Sequence, residues 1–283
     1  MKQNKKILAL TLAFILTIIG TVGVTVAYLT DTDEAENTFA VGNVQIKLIE
    51  QQRPLDAETN QPVADGELES FVDEKVLLPI VGSAQGTKDS HGLPTAANYV
   101  DKLVTVENTG ASNAYIRVFV AIPHNLDDGA DTYNAAANVL HFNLGNKQNE
   151  AGEWVTTNKT DWFWTVAEDS AEWNAYEANI SVELPEADAE QEILYTVYVG
   201  TYKPVVKSGE ITTRAIDGFY LDEAVDCTVD EEGNFVWTKG EATVEYPLED
   251  GVVIPVFAQA VQADGFADAF AAFEAADLAN PWE

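Results

Sequence analysis

The chain has 283 residues, with 47 acidic against 15 basic side chains and a formal net charge of −32. A polyanion of this strength excludes nucleic acid as a natural partner, while a hydrophobic fraction of 46% with 10% aromatic residues excludes a disordered chain and suffices for a core. Cys227 is the single cysteine, which excludes an intramolecular disulfide framework, so stability must come from packing.

Lys2, Lys5 and Lys6 lead into an uncharged apolar run from Ile7 to Val26, the layout of an export signal. Thr25 and Ala27 supply the small residues that a signal peptidase needs, Gly20 and Gly23 loosen the helix before the exit, and the expected cut lies between Ala27 and Tyr28. The same run is long enough to stay in a bilayer as an uncleaved anchor. Residues 1–27 carry three lysines and no acid, so cleavage leaves 12 basic against 47 acidic residues and a net charge near −35. Self-repulsion of that size is relieved by acid or by divalent cations.

Residues 28–42 form an expected N-terminal arm, acidic in DTDEAEN (Asp31 to Asn37) and then apolar at Phe39 and Val41. From residue 43 to 283 the pattern is that of one domain with period two. The predicted strands are VQIKLIE (44–50), KLVTVEN (102–108), AYIRVFVAI (114–122), EILYTVYVG (192–200), AVDCTV (224–229), NFVWTK (234–239), ATVEY (242–246) and VVIPVFAQAV (252–261). Val104, Val106, Ile116, Val118 and Val120 read as inward; Lys102, Thr105, Arg117 and Phe119 read as outward or facing a second layer. Many strands with few helical segments predict an all-β, antiparallel jelly-roll or Greek-key sandwich. Residues 51–98 and 125–179 read as loop-rich insertions.

Within the second insertion, Trp154, Trp162, Trp164 and Trp173 read first as filling between sheets, with a carbohydrate or partner-strand surface as the other reading. Asp264 to Leu278 predicts a short C-terminal helix with Phe266, Phe270 and Phe273 on one packed face. Cys227 reads as a small buried strand residue.

Catalytic constellations are sparse. His91, His124 and His141 are scattered, without HExxH or paired cysteines, and GxSxG is absent, so neither a catalytic set nor a zinc-ligand set is expected. DTDEAEN and NLDDGAD (Asn125 to Asp131) crowd oxygen ligands without the spacing of a calcium loop, so they read as solvated loops with calcium a minor alternative and no other cofactor.

Several blocks carry a resemblance. The junction AYLTDTDEAENTFAVGNVQIKL resembles the N-terminus of the TasA/camelysin family, and VTVENTGASNAYIRVFV (104–120), SGEITTRAIDGFYLD (208–222) and VIPVFAQAVQADGF (253–266) are similar to its later blocks. The resemblance implies a jelly-roll fold, export from a Gram-positive bacterium with removal of a SipW-type signal, and a structural role as a biofilm-matrix fibre subunit. The arm fits that role: its Tyr28, Leu29, Phe39 and Val41 are expected to pair, as an extended strand, with the exposed sheet edge of the next copy. Head-to-tail addition does not close, so the expected partner is a further copy of the chain, besides the signal peptidase during export. The membrane is met only through the signal segment. The namesake camelysin is classed as a metallopeptidase, which keeps an enzymatic alternative open, with a non-polymerising adhesin as a third. The sequence ends at LANPWE without an LPxTG sorting signal, so covalent attachment to the wall is not expected.

Overall fold

A computed structural model describes residues 36–39, 44–72, 75, 77–84, 86–126, 138–142, 161–166, 195–244, 246, 248, 252–276 and 278. Its main body is two antiparallel sheets. The first contains β1 (Glu36–Phe39), β2 (Val44–Gln52), β4 (Val100–Asn108), β9 (Ile216–Leu221) and β6 (Leu140–Phe142) in the order β1-β2-β4-β9-β6, with the short β3 (Glu69–Ser70) on the far end of β2. The second runs β13 (Val256–Gln262), β5 (Ala114–Pro123), β8 (Tyr195–Tyr202), β7 (Trp162–Val166). A smaller sheet joins β10 (Val225–Val229), β11 (Phe235–Lys239) and β12 (Ala242–Thr243). One short helix, α1 (Ala269–Ala276), completes the described elements.

Period-two alternation explains why the two large sheets meet. Ile46 and Leu48 of β2 and Val104 and Val106 of β4 point into the same core as Ile116, Val118, Val120 and Ile122 of β5. Trp162 and Trp164 fill that core as expected, while Trp154 and Trp173 fall outside the described residues. Trp164 has room because its strand partner is Gly200: a Cβ there would lie 2.7 Å from the indole ring.

Several elements depart from the sequence reading. The last long strand starts at Val256, since Pro255 cannot donate to a ladder. Strand β9, IDGFYL, is hidden in the sequence because Asp217 and Gly218 interrupt its pattern. Gly218 is required by close approach: a Cβ would collide with the Val100 carbonyl oxygen, where the β4–β9 register shifts between Asp101 and Val104. Cys227 is half-exposed on β10 rather than buried.

The three helix phenylalanines do not share one buried face. Asp268 caps α1 by accepting the Ala271 N–H at 2.9 Å, so the helix begins after Phe266. Phe273 packs with Tyr115 and Val261 on the outer face of the second sheet, whereas Phe270 is 44% exposed and meets the Phe163 ring edge-on at 5.2 Å.

Lys102 also corrects the reading. It shares parity with Val104 and Val106, and it is completely buried on the inner face of β4. Burial is tolerated because Glu50 of β2 sits diagonally across, with Nζ 2.8 Å from Oε2.

Candidate functional site

The expected cleavage residues Ala27 and Tyr28, and the arm residues Leu29 and Val41, lie outside the described residues. Phe39 is the last residue of β1, where the end of the arm folds back as an edge strand on its own chain. Its register on β2 runs from Glu36 opposite Lys47 to Phe39 opposite Val44. At the other end of β2, β3 pairs Ser70 with Gln51 and Glu69 with Gln52. Between them, Leu48 to Glu50 have no strand partner on that side among the described residues, although the Glu50 carbonyl accepts the Phe71 N–H at 3.1 Å. Strand β13, the edge of the second sheet, packs against β2 and β1. Two strand edges therefore border the same side of the sandwich, and that of β2 is covered only by the four residues of β1 and the two of β3. Such an edge is a template for a further strand.

Residues 51–98 are organised by a cation. Arg53, 1% exposed, sends Nε and Nη2 to the two carboxylate oxygens of Asp101 at 2.7 Å each, Nη1 to Asp89 at 3.0 Å, and Nη2 also to the Pro94 carbonyl. Burial opposes the charge, but the Asp101 and Asp89 carboxylates outweigh it and raise the guanidinium's affinity for its proton. Asp89 is held below the usual carboxylate range against its own burial, by N–H groups of Leu93 and Asp65 and by Arg53. A cavity of about 210 Å³ opens beside this hub, lined by Leu55, Pro62, Leu78, Tyr99, Gln61 and Asn98. Its amides are committed to each other, since Gln61 Oε1 accepts the Asn98 N–H and Gln61 Nε2 donates to Asn98 Oδ1. Nothing in the pattern of 51–98 announces Arg53; the available signal was a lone cation just after a strand in a chain that has few.

The histidines do not converge. His91 Nε2 lies 2.9 Å from the Gly66 carbonyl, His124 Nδ1 lies 3.2 Å from Thr196 Oγ1, and His141 Nε2 lies 2.9 Å from Asp222 Oδ2. Among the described residues no three His, Cys, Asp or Glu side chains are placed to hold a metal together. Of the acidic runs, Glu36 and Asn37 belong to β1 and Asn125 to a 3-10 turn; Asp31–Ala35 and Asp127–Asp131 lie outside the described residues. His141 instead belongs to a clasp. Lys239 of β11 pairs with Asp222 at 3.1 Å and donates to the Asn138 carbonyl at 2.6 Å, tying the small sheet to the body. Burial would raise the Asp222 carboxyl, but hydrogen bonds from His141, the Ala224 N–H and Lys239 hold it well below the usual range.

No family model, curated protein or solved structure matches this chain. Among the described residues no helix is long and apolar enough to cross a membrane.

Proposed function

We propose that this chain is an exported structural protein of the jelly-roll type that assembles into biofilm-matrix fibres by lending its N-terminal strand to the next copy. The observation carrying the reading is the placement of β1: the end of the arm already occupies an edge-strand position, through four residues, on the side where β2 and β13 expose their edges. A pairing so short is exchanged at little cost for the same pairing on a neighbour. Each exchange then leaves an identical arm and an identical edge free at the two ends, so growth is open-ended.

The charge sets the conditions. A subunit near −35 resists stacking, and neutralisation of carboxylates by acid or divalent cations favours it. The decisive comparison is between protein beginning at Tyr28 and the same protein lacking residues 28–41, viewed by negative-stain microscopy at several pH values and calcium concentrations. The shortened chain is expected to keep its β-rich circular dichroism and to form no fibres, while the longer one forms more of them as pH falls. Undiminished fibres from the shortened chain would sink the proposal.

A further inference from the structure

The Lys102–Glu50 contact lies on the inner face of the first sheet, between its two longest strands. Lys102 is wholly buried and the Glu50 side chain is 15% exposed, with Nζ 2.8 Å from Oε2. The ring of Phe71 covers the ammonium, its centroid 4.2 Å from Nζ. The second carboxylate oxygen, Oε1, is buried and has no hydrogen-bond partner among the described residues. As a plain ion pair this is an expensive arrangement: two charges leave water, and one carboxylate oxygen has nothing to replace it.

We propose that Lys102 and Glu50 condense into an intramolecular isopeptide bond that staples β2 to β4. The atoms balance without any external reagent. One ammonium proton passes to the Glu50 carboxylate, leaving a neutral amine and a neutral acid. The Nζ lone pair attacks Cδ, a second Nζ proton joins the departing hydroxyl, and water leaves; the amide keeps the third hydrogen. Two buried charges become one neutral amide, and a carboxylate oxygen without a partner is removed. Condensation is unfavourable between free molecules in water, but two groups held in contact act at an effective molarity on the order of 10⁵ M or more. Phe71 excludes bulk solvent from the amine side, and the partial exposure of Glu50 gives the released water an exit. The bond would supply the covalent brace that a chain with one cysteine cannot obtain from a disulfide. The inference is independent of polymerisation.

Mass spectrometry of the denatured full chain tests it, with the N-terminus read from the same sample. The expected intact mass is one water below the sequence mass, and a tryptic digest should contain the peptides bearing Glu50 and Lys102 joined, with no cleavage after Lys102. Lys102→Arg keeps the charge and removes the nucleophile, so that variant should return to the full sequence mass. Full mass in folded wild-type protein, with Lys102 open to acetylation after denaturation, would overturn the proposal. So would a lost water mapped to another pair, or a link to Gln52, two residues along β2 from Glu50, which would release ammonia instead.

Discussion

The excursion at 51–98 and the small β10–β12 sheet send opposite signals in sequence and in structure. The excursion is rich in Gly, Pro and polar residues and reads as loop, yet it places Arg53, Phe71 and Leu93 among the buried residues. The small sheet alternates cleanly and reads as strand, yet Val229 and Phe235, cross-strand partners at its tip, remain mostly exposed. Alternation thus reports backbone conformation, whereas burial depends on what covers a face. In the excursion the cover is organised by one guanidinium and two carboxylates. The small sheet is attached at its base, by Val225, Trp237 and the Lys239–Asp222 clasp.

Arg53→Leu should break the excursion most severely. It leaves Asp101 and Asp89 buried without their cation, at a cost of about 3–5 kcal/mol in urea denaturation. A loss below about 1 kcal/mol, the range of an exposed pair, would show that the excursion does not depend on its hub. Leu93→Ala, at a site with no solvent exposure, should cost about 3 kcal/mol through transfer and cavity effects. Both changes should leave the attachment of the small sheet intact.

Acid should separate the clasp from the rest. Asp222 has a folded-state pKa below its unfolded value, so its contribution is fully present above the unfolded value, about 4, and is lost as pH falls from there toward the folded value. Asp222→Asn should therefore flatten part of the acid limb of the stability profile, measured by thermal unfolding at stepped pH. An unchanged limb would mean that the clasp does not contribute. The smallest effect belongs to the tip of the small sheet: Phe235→Ser, at a residue 54% exposed, should stay within about 0.5 kcal/mol of wild type. A larger loss would reveal packing that the exposed tip does not display.

How much of this was legible depended on where each constraint originates. Strands β4 and β5 were readable because their own alternation states which residues face the core. Strand β9 was not, because Gly218 answers to the Val100 carbonyl, far back in the chain. The parity of Lys102 with Val104 and Val106 was present in the sequence, but an inward lysine is credible only once Glu50 is brought across from β2. The helix face failed for a local reason, the Asp268 cap, which starts the helix too late to include Phe266. Of the candidate assembly side, the apolar residues of the arm were visible. The return of Glu36–Phe39 onto β2 was not, since register is a property of the pair of strands.

The pairing of β5 with β13 has a consequence for how the molecule is made. Val120 lies opposite Val256, and Arg117 Nε donates to Gln259 Oε1 at 2.8 Å across 142 residues of chain. A chain synthesised or threaded N-terminus first holds β5, one of its most apolar segments, without this partner until β13 has emerged, long after β5, β7 and β8. Contacts so distant in sequence slow folding and prolong the exposure of an unpaired strand. The second sheet therefore acquires its last strand late, and its incomplete form is the state in which a holding chaperone would have most to protect.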